Sequence, residues 1–255
     1  MAHRTAPGAV AKGGAMTLPA YIIHLERAVG RQQNVAMLCR ALGPETTVFS
    51  GIDGRAVAPL HAPKPRRTAF PVYPFALRSA EIATFHSHRA CWQRMIDDGH
   101  PAALIVEDDI ALDPPFRAAL DLALKTLAPD RLVRFSLTAR ERGEVVAQGK
   151  GDLRVLRPSV IGLGMQALLV TRGAAIRLLQ SSVTFDRPVD TFVQMRWLHG
   201  VDVLTVLPSG VRERSVEMGG SMIHAPMSFV ERLQRETLRP VYRTALALRS
   251  IAARL

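Results

Sequence analysis

The sequence predicts an α/β protein: a mostly parallel sheet flanked by helices, one domain carrying a basic helical tail. Three observations predict it. Short apolar runs rich in branched residues, as at Ala102–Val106, read as strands buried on both faces. Stretches with helical spacing alternate with several of them. The chain also opens strand–helix–strand, which predicts a right-handed crossover and parallel pairing.

In order, Ala20–Leu25 reads as a strand and Arg27–Ala41 as a helix with Val35, Leu38 and Leu42 on one face. Gly43-Pro44 stops it, and Thr46–Ser50 is β-branched and aromatic, a second strand ending in the turn Gly51-Ile-Asp-Gly54. His61–Pro74, rich in Pro and Arg, is a loop. Ser79 is expected to cap a helix with Glu81 in its first turn, and Ile82, Phe85, Arg89, Trp92 and Ile96 follow helical spacing. Glu81, His88 and Met95 run along an adjoining stripe, and Asp97–His100 ends the helix.

The strand Ala102–Val106 follows, then a helix over Pro114–Leu127 opened by prolines. Leu132–Leu137, Val145–Ala147 and Leu153–Leu156 read as shorter strands, Ser159–Gly164 as a loop and Gln166–Val170 as an apolar strand. Arg172–Ser181 reads as a helix, and Asp186–Leu198 as another, begun by Asp186 with Pro188 just inside. Val203–Leu207 is a late strand and Val211–Met227 a loop. Residues 1–18 are expected to be a disordered tail, 19–228 the folded domain and 229–255 a basic amphipathic helix. There Leu238, Val241, Tyr242, Ala245, Leu248, Ala252 and Leu255 form an apolar stripe, and Pro240 is expected near the helix start.

The chain has 255 residues and a formal net charge of +11, which favours anionic partners: phosphates, nucleic acid or an acidic membrane surface. The basic residues are scattered without an aromatic stacking motif, which argues against nucleic acid. Cys39 and Cys91 do not resemble a disulfide framework, so a reducing cytosol is expected. No run is long enough to span a bilayer, and the first residues lack the apolar core of a secretory signal.

Chemistry concentrates at Glu107-Asp108-Asp109, where the central strand ends. Open α/β sheets bind ligands beyond the carboxyl ends of their strands. Crowded carboxylates repel unless compensated; magnesium or manganese suits their hard oxygens. The alternative is a strand end with solvated acids.

Several segments in this order resemble glycosyltransferase family 25, the lipopolysaccharide-type galactosyl- and glucosyltransferases. They are Tyr21-Ile-Ile-His-Leu-Glu-Arg27 with Arg31, Gly51-Ile-Asp-Gly54, Glu81-Ile82 with Ser87-His88 and Trp92, and Ala103-Leu-Ile-Val-Glu-Asp-Asp-Ile110. Gln166-Ala-Leu-Leu-Val170, Arg172-Gly-Ala174 and Pro188-Val-Asp190 continue the set. His24 stands where the family usually has Asn, and Ala83–His86 replaces a run containing Gly and Cys.

The resemblance implies a GT-A-like, Rossmann-type fold, a nucleotide-diphosphate sugar (UDP-hexose favoured), a manganese-type metal (or magnesium) and a glycan or glycolipid acceptor. Alternate residues of a strand end point the same way, so Glu107 and Asp109 are the expected metal pair, with His224 a further candidate ligand. Asp108 is then expected to meet ribose or sugar hydroxyls. Arg27 and Arg31 are candidates for phosphate, or surface arginines; Asp53 for a base or ribose, or an ordinary turn residue. Glu81 and His88 are candidate donor contacts or a satisfied core pair. Family 25 enzymes are generally inverting, which requires a base, and Asp190 matches the family's acidic position, with Asp186 and Glu217 as rivals.

The leading expectation is therefore a cytoplasmic hexosyltransferase building a cell-surface glycan, peripheral on the inner face of the membrane. Another phosphate enzyme such as a nucleotidyltransferase, or a non-catalytic binding protein, are the alternatives.

Overall fold

A computed structural model of the chain describes residues 18–55, 69–218 and 229–253, with side chains of the last segment described from residue 236 onward. The elements are β1 (Ala20–His24), α1 (Gln32–Leu42), β2 (Thr46–Ser50), α2 (Ser79–Asp97), β3 (Ala102–Glu107), β4 (Ile110–Leu112), α3 (Pro115–Leu124), β5 (Arg131–Phe135), β6 (Gly143–Gln148) and β7 (Arg154–Pro158). They continue with β8 (Ala167–Thr171), α4 (Arg172–Ser181), α5 (Val189–Val193), α6 (Arg196–His199), β9 (Asp202–Leu207), β10 (Val211–Glu213) and α7 (Phe229–Ala252).

Eight strands form one sheet in the order β2-β1-β3-β8-β5-β9-β7-β6, and β4 pairs with β10 in a separate ribbon. β1 pairs parallel with both β2 and β3, and β5 parallel with β9. β8 runs antiparallel between β3 and β5, and β7 antiparallel between β9 and β6. Most strands thus point one way, with β7 and β8 reversed. The sequence predicts β8 as an apolar strand; its direction is set by the segment 159–166, which delivers the chain to the carboxyl end of β3, where Ala167 faces Val106.

Period-two alternation divides the core. Leu104 and Val106 pack with Val35, Leu38, Phe116 and Ala119 on the α1 and α3 face. Ala103 and Ile105 pack with Phe85, Trp92, Met95, Ala174 and Phe192 on the α2, α4 and α5 face. The fully buried Phe85, Trp92 and Met95 each contribute on the order of 1.5–3 kcal/mol, which ties α2 to the sheet.

Local details differ from expectation for identifiable reasons. A 3₁₀ turn, Val29–Arg31, precedes α1, so the helix starts later than Arg27. Ser79 is the first helical residue of α2 rather than its cap; the Arg78 N–H donates to the Glu81 carboxylate at 2.8 Å. The helix expected over Asp186–Leu198 is broken at Met195, whose ψ of 61° leaves the helical region, and Pro188 rather than Asp186 holds the cap of α5.

α7 runs through Pro240 instead of starting near it. Its expected apolar stripe is divided. Tyr242 is buried, together with Leu246 from outside the stripe, against Met195, Tyr73 and Trp197, while Leu238, Val241 and Leu248 stay exposed, as does Ile251 beside them. Tyr242 turns inward because the Arg187 guanidinium donates to its hydroxyl at 2.9 Å and Tyr73 packs edge-on at 5.4 Å. Arg249 lies over the Trp197 ring at 6 Å or slightly less, 5.9 Å to the centroid, and fastens the far end. Among the described residues no helix is long and apolar enough to cross a membrane.

Candidate active site

The chain leaves β1 for β2 on one side and later returns to β3 on the other, so the carboxyl ends of β1 and β3 flank a topological switch point. Glu107 ends β3 there, and Asp108 and Asp109 form the turn that leads to β4. Glu107 lies on the α2 face, its Oε1 3.2 Å from His88 Nε2. His88 is fully buried, and its Nδ1 has no hydrogen-bond partner among the described residues. It backs Glu107 rather than facing solvent.

Asp108 points to the opposite face. His24 Nδ1 is 2.7 Å from its Oδ2, and Arg31 donates to its Oδ1 at 2.6 Å. Asn34 donates to the carbonyls of Asp108 and Ile110, both at 2.8 Å, fixing the turn. Asp108, expected to meet donor hydroxyls, therefore has its carboxylate engaged inside the fold. Arg31, a candidate for phosphate, is buried and directed at Asp108 and at Asp109, 3.2 Å away.

Asp109 keeps its proton unusually well. Burial pushes its carboxyl up to about 7, the charge of Glu107 adds to this, and Arg31 opposes it only in part. Glu107 and Asp109 are thus electrostatic neighbours with excess negative charge. Among the described residues no three His, Cys, Asp or Glu side chains are grouped to hold a metal; the acids offer a pair. His224 lies outside the described residues.

A cavity of about 980 Å³ opens on the α2 and α5 face. Glu81, Glu107 and Asp190 line it, as do Arg140, Arg239 and Arg243. Asp109, Asp186 and Glu217 do not. Asp190 opens α5 and accepts from the Thr191 N–H at 2.6 Å and from the Gly164 N–H at 3.4 Å. Gly164 has a φ of 103°, a left-handed conformation that suits glycine. Burial raises the Asp190 carboxyl above the usual carboxylate range, the hydrogen bonds oppose this, and Glu107 adds to the rise. A carboxylate so placed is suited to take a proton at the cavity wall.

The remaining sequence candidates are found elsewhere. Arg27 and Asp53 pair with each other, and the Arg55 N–H donates to Asp53 at 2.9 Å. That backbone bond, then Arg27, holds the Asp53 carboxyl below its ordinary range. Both sit beyond β1 and β2. Asp186 is bound to Arg187 at 2.8 Å, and exposed Glu217 to Arg214 at 2.8 Å. Sequence reasoning missed the three cavity arginines and the role of His24; the arginines sit in no motif, and their common signal is charge alone.

Residues 17–193 match the family model described as "Glycosyltransferase family 25 (LPS biosynthesis protein)". Two curated relatives, each named "Glycosyltransferase 25 family member", are similar to part of the chain. The one from Drosophila pseudoobscura pseudoobscura is 33% identical over 106 residues, covering 38% of this chain and 16% of the relative. The one from Anopheles gambiae is 31% identical over 102 residues, covering 38% of this chain and 17% of the relative. The chain thus spans about a sixth of the length of these relatives.

Proposed function

The chain belongs to glycosyltransferase family 25, and from that premise we propose a metal-dependent hexosyltransferase with a GT-A-like fold. It moves a hexose from a nucleotide-diphosphate sugar, UDP-hexose being favoured, to a lipopolysaccharide, lipooligosaccharide or capsule acceptor with inversion. One observation carries this reading: Glu107, at the end of the switch-point strand, and Asp190 line the same cavity.

Manganese or magnesium fits Glu107 and Asp109, because the buried Asp109 carboxyl, its pKa raised by burial and by the charge of Glu107, is relieved by a divalent cation, and both acids offer hard oxygens. When bound, the ion supplies Lewis-acid stabilisation of the departing diphosphate. His88 supports Glu107 from behind, while His24 and Arg31 hold Asp108 and so fix the turn that carries Asp109.

Asp190 takes the proton of the acceptor hydroxyl. The acceptor oxygen then bonds to the anomeric carbon from the face opposite the donor C–O bond, and the nucleoside diphosphate leaves with that bond's electron pair. Burial suits Asp190 to this task by strengthening its hold on the proton. We further propose work at the cytoplasmic face of an anionic membrane. Exposed Leu238, Val241, Leu248 and Ile251 on α7, with Arg residues beside them, support contact with its surface.

The test is product identity. A UDP-hexose incubated with the protein and manganese should yield free nucleoside diphosphate. Release of inorganic pyrophosphate from a nucleoside triphosphate instead would point to nucleotidyl transfer.

A further inference from the structure

Most arginines along the described chain meet a carboxylate or a carbonyl: Arg131 and Arg157 meet Asp202, Arg134 meets Glu141, and Arg177 meets Asp130. Arg140, Arg239 and Arg243 do not, having no ion-pair partner among the described residues, yet all three line the cavity that holds Glu107 and Asp190. We propose that these three arginines form a subsite for a phosphate group carried by the acceptor sugar.

The placement supports the acceptor rather than the donor. Arg140 follows β5, which lies beyond β8 on the side of β3 away from β1. The donor side is the switch point between β1 and β3, so Arg140 enters the cavity from the opposite half of the sheet. Arg239 and Arg243 are one turn apart on α7 and therefore share a helix face. Buried Tyr242 and Leu246, with the Arg249–Trp197 contact, hold that face at the cavity. α7 also lies outside residues 17–193, the span matched by the family model, so this wall is a feature of this chain's own C-terminal segment.

The ligand class follows from charge and shape. Three guanidinium groups on one cavity wall, none in an ion pair among the described residues, offer N–H donors that an oxyanion satisfies. Guanidinium groups bind oxyanions through paired N–H donors. A phosphomonoester carries about two negative charges near neutral pH, a closer match to three arginines than the single charge of a carboxylate. Arg249 faces Trp197 instead and is not part of the subsite.

The subsite rests on the transferase reading for its role, but its binding is measured without turnover. The full chain is titrated calorimetrically with glucose 6-phosphate, with glucose and glucuronate as controls, in the absence and presence of uridine diphosphate. Saturable binding of glucose 6-phosphate is expected, at least tenfold tighter than either control and undisturbed by uridine diphosphate. The Arg239→Gln/Arg243→Gln variant and Arg140→Gln should each weaken it at least tenfold. Arg239→Lys/Arg243→Lys, which keeps the charge, should retain part of the affinity, and unchanged thermal melting would show that these exposed sites leave the fold intact. Equal binding of all three sugars, or full affinity in the glutamine variants, would overturn the subsite. Displacement by uridine diphosphate would assign the arginines to the donor's diphosphate and overturn the acceptor role. Phosphosugar binding by a chain that cleaves no nucleotide sugar would keep the subsite and sink the transferase reading.

Discussion

Arg31 donates to Asp108 across 2.6 Å, with both side chains buried beneath the end of β3. The same guanidinium lies 3.2 Å from Asp109. One arginine thus offsets part of the charge of two acids and anchors the turn between them. Removing one member of a buried pair strands the other, at a cost of about 3 kcal/mol or more. Arg31→Met should therefore lower Tm by roughly 6–12 °C for a chain of this size. A melt within 2 °C or so of wild type would mean that the pair is solvated and does not anchor the turn.

Asp190→Asn should reduce turnover by about 10²–10⁴-fold with little change in donor affinity, since a base acts in the transition state. In wild type the rate should rise with pH through a pKa above the ordinary carboxylate range, because burial raises that of Asp190. The asparagine variant should lose that limb of the profile. Collapse of donor affinity in place of turnover would make Asp190 a binding residue.

His199 supplies a pH-dependent stability. It is buried, accepts from the Val201 N–H at 3.0 Å, and burial depresses its pKa from 6.5 to about 4. The unfolded chain therefore takes up the proton more readily. Its full contribution is present above pH 6.5 and is lost as pH falls toward 4, by at most about 3 kcal/mol. Chemical denaturation across that window should show the decline, and His199→Gln should flatten it while lowering stability at pH 7 or so. An identical slope in both proteins would assign the acid sensitivity to other groups.

The outer face of α7 can be tested without disturbing the inner one. Replacing Leu238, Val241 and Leu248 with Ser should leave Tm unchanged, since all three are exposed. It should weaken co-sedimentation with phosphatidylglycerol vesicles at low salt. Deleting the helix is a poorer test, because Tyr242 and Leu246 pack on the domain and Arg239 and Arg243 line the cavity. Equal vesicle binding by wild type and the serine variant would remove α7 from any membrane contact.

Much of the fold was legible because β3 is buried on both faces and α2 keeps its apolar spacing over its full length. The acid cluster was legible for a related reason: three adjacent carboxylates stand out where an apolar strand ends. The division of labour within it was less so. Alternation set Asp108 apart from Glu107, but nothing in the spacing showed that His24 and Arg31 occupy Asp108 and that Arg31 also reaches Asp109. The pairing of Arg27 with Asp53 was hidden in the same way, since each was weighed against a ligand and not against the other. The break at Met195 and the continuation of α7 through Pro240 come from tertiary packing, which overrides local propensity. Arg140 comes to the cavity that Arg239 and Arg243 line only through the tertiary fold, so no short window of sequence contains all three.

The proposed role of Glu107 and Asp109 is to hold a divalent metal needed to cleave a nucleotide sugar. Its most direct test is release of uridine diphosphate from UDP-hexoses, with limiting manganese, after chelation by EDTA, and in Asp109→Asn. Turnover should require manganese, vanish on chelation and return when the metal is restored. In Asp109→Asn it should fall by at least 10²-fold or so in limiting manganese, with the melting temperature retained. Turnover that survives EDTA, or that is unchanged in Asp109→Asn at limiting manganese, would contradict the claim.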